Sequence, residues 1–262
     1  MILVTGARGF VGKRIMDICR DTVASPSLRN ASEKEIKRIV EESGADTIIH
    51  TAAISDIRTC AADPEASYTA NVQLPVLLAK ASAGRKLVCF SSDQVYTGAE
   101  GIGPYSEDQA KPANVYAEHK LEMEMRVLDI CPDAVMLRAE WMYDYELDNQ
   151  NYFMNMINAN GTVKFSSKNY RGITYVREVA ENMEKVIALP GGVYNFGSET
   201  DQSMYQITSK FREKLGLDIE VEDVSPLHNL WMDCSKAKRH GVVFSDALEG
   251  LFRCAKDYRY IN

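Results

Sequence analysis

The chain has 262 residues, 45% hydrophobic and 26% charged, enough to bury a large core as one α/β domain with a smaller appendage. Its formal net charge of −7 argues against nucleic acid or an anionic membrane as the main partner, because both select basic surfaces. No apolar run approaches the length of a membrane span, and neither the scattered cysteines nor His50, His119, His228 and His240 fall at metal-ligand spacing, so no metal site is expected.

The first residues lead directly into an apolar strand at 1–5, which leaves no room for a signal peptide. With cysteines that read as reduced thiols, the expected compartment is the cytoplasm. A helix at 10–20 follows. The second strand has room only at 22–25, since Pro26 comes next. A helix over 32–43 opens on Ser32, which forms a capping box with Glu35. Strand 46–53 precedes a helix at 64–83 with Pro64 in its tolerated first turn. Strand 86–91, a helix at 114–130 capped by Asn114 and strand 134–139 complete the pattern. Short apolar runs alternating with helices predict an α/β fold, a Rossmann-type doubly wound parallel sheet covered on both faces.

After residue 140 the pattern changes. Residues 141–160 are rich in Asn, Tyr and Met, followed by a helix at 176–189, a strand at 192–197 and helices at 202–215 and 245–257. The expected organisation is a dinucleotide-binding domain of residues 1–140 plus about 172–197. About 141–171 and 198–262 form a small discontinuous C-terminal substrate lobe over the carboxyl edge of the sheet.

Gly6, Gly9 and Gly12 stand three apart between the first strand and the first helix. In such a turn the first glycine permits the reversal, the second lets backbone approach a pyrophosphate and the third permits close helix–strand packing. The helix N-terminus, with Phe10 and Val11, offers free N–H groups and a partial positive charge. A ribose-binding carboxylate is expected after the second strand, but residues 25–32 contain none. Arg8 and Arg29 instead suit a 2′-phosphate, because guanidinium binds phosphate through bidentate charge-assisted bonds. NADP(H) is therefore favoured, with NAD(H) as the alternative.

Tyr116 and Lys120 lie four apart on one face of a predicted helix. Reduction of a carbonyl needs a proton donor at the oxygen that gains charge, and an ammonium beside a phenol favours its ionised form. The spacing alone is no rarer than chance. Its weight comes from Ser91-Ser92-Asp93-Gln94-Val95-Tyr96 after an apolar strand, which puts a hydroxyl at the sheet edge where α/β proteins bind ligands.

With these motifs together, the chain resembles the extended short-chain dehydrogenase/reductase family, and within it the dTDP-4-dehydrorhamnose reductase-like branch. The glycine turn, the Ala52-Ala53 segment running into Ile54 and Ser55, Asn71, Ser92-Asp93-Gln94-Val95-Tyr96, Tyr116/Lys120 and Arg138/Trp141/Tyr143 carry the likeness. It implies Ser92, Tyr116 and Lys120 as catalytic residues. It implies cofactor contacts from Gly6, Arg8, Gly9, Phe10, Val11, Gly12, Ala52, Ala53, Ile54 and Phe90, with Tyr116 and Lys120 at the nicotinamide ribose. Ser92, Asp93 and Trp141 would contact a nucleotide-sugar.

Departures accompany the likeness: Arg29-Asn30 replace an Asp-containing pair at the adenosine, Ala117 and His119 differ beside the tyrosine, and Gly172-Ile-Thr-Tyr175 replaces Gly-x-Pro-Thr. The 4,6-dehydratases of the superfamily carry an acid where Gln94 stands, and an amide cannot transfer a proton at neutral pH. Reduction of a nucleotide-linked 4-keto-sugar is the first expectation. An NAD-dependent epimerase and a non-catalytic dinucleotide-binding regulatory protein are the alternatives, and a homodimer is compatible with each.

Overall fold

The computed structural model describes residues 1–145, 151–226 and 229–261; His228 and part of the 141–160 stretch lie outside the described residues. The strands are β1 (Ile2–Thr5), β2 (Thr22–Ala24), β3 (Thr47–His50), β4 (Lys86–Ser92), β5 (Val135–Ala139), β6 (Trp141–Tyr143), β7 (Gly161–Phe165), β8 (Ile173–Tyr175), β9 (Gly192–Phe196) and β10 (Ile219–Asp223). Six of them form one parallel sheet in the order β2-β1-β3-β4-β5-β9. The order reverses between β1 and β3, and a crevice opens at such a reversal outside the carboxyl ends of the strands.

Successive strand residues point to opposite faces. Val4, Ile49, Val88 and Val135 pack on one side, while Leu3, Ile48, Leu87 and Met136 pack on the other. The first face is covered by α1 (Phe10–Ile18), through Ile15. The second is covered by α2 (Glu33–Ser43), through Ile36 and Val40. Ser32 caps α2 in the expected capping box, and Gly44 ends it in the left-handed region at φ 63°.

The helix expected over 64–83 is interrupted. After α3 (Ile57–Ala62), which the periodicity does not reveal, α4 (Pro64–Tyr68) runs into a π-helical turn at Thr69–Gln73 before α5 (Leu74–Ala81). Pro75 has no N–H to give the Asn71 carbonyl, so the regular ladder fails there. Next comes α6 (Val115–Ile130), with the Asn114 side chain accepting from the Ala117 amide.

α7 (Tyr152–Ile157) is followed by a second break, between α8 (Val176–Glu181) and α9 (Met183–Ile187). Asn182 turns its side-chain amide onto the Glu178 and Val243 carbonyls, competing with the helix backbone. The chain ends with α10 (Met204–Leu215), α11 (Ser235–Lys238) and α12 (Ala247–Asp257). Pairs β6–β8 and β7–β10 are small parallel sheets, unexpected from sequence. Tyr143 stacks between Phe153 and Tyr175 in an apolar cluster that also takes in Phe211 and Leu251.

Between sheet and α6 lies a buried ion pair. Arg138 on β5 donates to both carboxylate oxygens of Glu124 (Nε–Oε1 3.0 Å, Nη2–Oε2 2.7 Å) and to the Tyr96 hydroxyl at 2.8 Å. Tyr96 in turn donates to Asn195, whose amide reaches the Tyr105 and Asp233 carbonyls. Removing one member leaves the other charge buried and unpaired. Arg138→Met is expected to lower the unfolding free energy by about 3–5 kcal/mol, measured by urea denaturation.

Candidate active site

A cleft of 1940 Å³ runs along the carboxyl edge of the sheet, from Arg29 at one end to Arg171 at the other. That exceeds the roughly 300–1,000 Å³ that accommodates one small ligand. The glycine turn forms its floor. Gly6 sits at φ 71°, and a Cβ there would come within 2.7 Å of the Ala52 amide. A Cβ on Gly12 would lie 2.2 Å from the Gly6 carbonyl oxygen, so α1 can approach β1 this closely only without a side chain. Gly9 differs: its backbone is extended and its added Cβ would meet only the Gly6 oxygen, at 3.1 Å. No side chain caps α1, so its first N–H groups face the cleft unclaimed by a cap.

Arg8 and Arg29 are exposed on the same cleft, and neither guanidinium has an ion-pair partner among the described residues. Asn30 adopts φ 63°, which helps turn the chain sharply after the three-residue β2. β3 ends at His50, earlier than the expected 53, because the chain then turns toward Asn71. That side chain accepts from the Ile54 amide at 3.1 Å and donates to its carbonyl at 2.9 Å. Ala52, Ala53 and Ile54 thereby line the cleft together with Phe10, Val11 and Phe90.

Ser92, Tyr116 and Lys120 all line this cleft. Tyr116, Lys120 and Glu124 repeat every four residues along one face of α6. Glu124 is tied to Arg138, and Lys120 donates to the Phe90 carbonyl at 2.7 Å, with Nζ 5.8 Å from the centre of the Tyr116 ring. Burial pushes the Lys120 pKa down to about 8, offset in part by Cys89 and Glu124. Burial, rather than Lys120, dominates Tyr116: it raises the phenol above the ordinary tyrosine value, with the Ser92 hydroxyl opposing and the Asp93 charge adding. The phenol is therefore neutral at physiological pH, the form that can give a proton. Below it, burial and Lys120 push His50 down to about 3, so the imidazole stays neutral. Its Nδ1 meets Thr5 Oγ1 at 2.6 Å.

At the other end of the cleft the structure joins two residues that sequence reasoning missed, Arg171 and Glu140, to the expected Ser92, Asp93 and Trp141. The Asp93 carboxylate accepts from Ser92 Oγ at 3.1 Å and from Arg171 Nη2 at 2.6 Å. Arg171 lies over the Trp141 ring, 5.5 Å from its centre. Glu140 stands beside them, 5% exposed. Two buried polar atoms here, Gln94 Oε1 and Arg171 Nε, have no hydrogen-bond partner, a condition native interiors rarely tolerate away from function. The available signal was a carboxylate directly after a strand at the sheet's carboxyl edge.

A doubly wound sheet with a glycine turn at its first crossover and a Ser-Tyr-Lys set on the same cleft is the architecture of the extended short-chain dehydrogenases/reductases. The chain belongs to the RmlD substrate binding domain family, whose family model matches residues 1–239. It is 30% identical to the dTDP-4-dehydrorhamnose reductase of Mycolicibacterium smegmatis, over 54% of this chain and 46% of that protein. It is 28% identical to the methionine adenosyltransferase 2 subunit beta of Xenopus laevis, over 92% of this chain and 82% of that protein. The crystal structure of the dTDP-4-dehydrorhamnose reductase of Bacillus anthracis in complex with NADP matches with a TM-score of 0.87 over 98% of each chain, at 21% identity, a likeness of fold.

The glycines make a direct test of the turn. Gly12→Ala is expected to lower the melting temperature by about 4 °C or more, since backbone must move, whereas Gly9→Ala shifts it by less than about 2 °C. Thermal denaturation followed by circular dichroism separates the two.

Proposed function

We propose that this protein uses NADPH to reduce the keto group of a nucleotide-linked sugar. The carrying observation is that the glycine turn and the Ser92–Tyr116–Lys120 set share one cleft too large for a single small ligand. The likeness to reductases of dTDP-4-dehydrorhamnose supports the substrate class. In this reading residues 1–140 and about 172–197 hold the dinucleotide, and about 141–171 and 198–262 form the substrate lobe. The enzyme would work in the cytoplasm, alone or as a homodimer.

The residues present fit the dinucleotide. The uncapped N-terminus of α1 suits a pyrophosphate, and the room left at Gly9 lets it approach the backbone. Arg8 and Arg29, free of ion pairs, suit a 2′-phosphate better than a bare ribose. When bound, the cofactor supplies the hydride. Tyr116 then gives its phenolic proton to the carbonyl oxygen, while the Ser92 hydroxyl turns its one proton from Asp93 to donate a hydrogen bond to the same oxygen. Lys120, anchored on the Phe90 carbonyl, holds the nicotinamide ribose and stabilises the phenolate left behind. Gln94, standing where the dehydratases carry an acid, cannot itself transfer the proton that water elimination needs.

A second reading, a non-catalytic dinucleotide-binding regulatory subunit, is favoured by the likeness to the methionine adenosyltransferase subunit. Turnover decides between them. Wild-type protein is expected to oxidise NADPH with a nucleotide-4-keto-sugar. Tyr116→Phe should lose at least about 100-fold in kcat while its NADPH affinity, by calorimetry, changes less than about threefold. NADPH binding without turnover of any such sugar would favour the regulatory reading.

Cofactor choice has its own test. The double variant Arg8→Ala/Arg29→Ala is expected to weaken NADPH binding about 10- to 100-fold while leaving NADH nearly unchanged. Equal losses for both would remove the 2′-phosphate assignment.

A further inference from the structure

Glu140 is held in a way that a merely structural carboxyl does not need. Oε2 accepts from the Thr174 hydroxyl at 2.8 Å and from the Ser198 amide at 2.9 Å. Oε1 has no partner among the described residues, yet it is not among the sealed, unpartnered atoms of the interior, and the residue lines the cleft. Two glycines clear its place: a Cβ on Gly172 would fall 2.0 Å from Oε1, and one on Gly197 would fall 2.3 Å from Oε2. Neither glycine has a left-handed backbone, so close approach, not conformation, is what excludes a side chain there. Four positions from two segments, 172–174 and 197–198, thus converge to fix one carboxyl with one oxygen left over.

We propose that Glu140 is a specificity-determining residue whose neutral carboxyl donates, through Oε1, a hydrogen bond to an oxygen of the sugar ring in the cleft. The inference rests on the reading of the substrate as a nucleotide-sugar. Oε2 already serves as the doubly hydrogen-bonded acceptor, so the proton of the neutral acid belongs on Oε1. Burial and the neighbouring Asp93 charge raise the Glu140 pKa to about 8, against the pull of Thr174, Arg171 and the Ser198 amide, so the neutral form prevails at pH 7. A neutral donor recognises hydroxyl, ether or keto oxygens and gives an anionic carboxylate on the sugar less welcome beside Asp93. The ligand class is therefore an uncharged sugar.

The test isolates the sugar's share of binding. Affinities of UDP, UDP-glucose, dTDP and dTDP-glucose are measured by calorimetry at pH 7 with NADPH present, for wild type, Glu140→Leu and Glu140→Gln. The glutamine amide can accept at one atom and donate at the other, as the neutral acid does. Wild type and Glu140→Gln are expected to gain similarly from the glucose, within about threefold of each other, while Glu140→Leu loses about tenfold of that gain with its nucleotide affinity unchanged. An undiminished gain in Glu140→Leu overturns the assignment; if that variant does not fold, Glu140→Gln losing the gain overturns the neutral-donor role. A wild-type protein that binds nucleotide but gains nothing from the sugar overturns the inference alone. One that binds none of the four overturns the nucleotide-sugar reading with it.

Discussion

The cleft depends on how one buried guanidinium is satisfied. Arg138 is 3% exposed, and an ion in such a place costs several kcal/mol unless it is paired and fully hydrogen-bonded. Its donors go to Glu124 on α6, to the Tyr96 hydroxyl and to the Glu107 carbonyl. Because Glu124 shares a face with Lys120 and Tyr116, satisfying the arginine also sets the rotation of α6 about its axis. Through Tyr96 and Asn195 the same network reaches β9 and the chain near Asp233. The position of the phenol is thus decided two turns away, by electrostatics beneath the cleft.

The charge pattern within the cleft differs from that of the whole chain. Despite a net charge of −7, one end presents Arg8, Arg29 and the positive pole of α1, and neither arginine has an ion-pair partner among the described residues. The other end carries Arg171, but Asp93 cancels it and Trp141 shields it. An anion therefore finds its strongest attraction at the β1–α1 turn, and the opposite end reads shape and hydrogen bonds. Overall acidity bears on macromolecular partners and leaves a local anion site untouched.

Much of this was legible in the residues. The β runs, the Ser32–Glu35 box and the Asn114 cap follow from local chemistry and appear where expected, and Gly6, Gly9, Ser92, Tyr116 and Lys120 meet on one cleft, with Gly12 buried behind it. What local chemistry does not encode stayed hidden. The Asn71 side chain clasps the backbone of Ile54, seventeen residues earlier, and no spacing rule connects the two. Strands β6, β7, β8 and β10 are three to five residues long, too short for a period to declare itself. The Asp93–Arg171 pair spans 78 positions, and no spacing rule connects them. Glu140 drew no expectation from its local sequence, because its placement depends on the approach of Gly172 and Gly197 from other parts of the chain.

That last approach constrains how the chain can change over time. The three atoms nearest to a side chain at position 197 all belong to Glu140, whereas position 172 also presses on the Ser198 carbonyl. Shortening Glu140 to alanine would therefore remove the nearest obstacles to a side chain at 197, while 172 would still meet the Ser198 carbonyl at 2.2 Å. The reverse order is closed, since a methyl group at 197 would have to enter space that the carboxyl still fills. A change at Glu140 therefore has to precede any side chain at 197, so the order of substitutions here is constrained by packing.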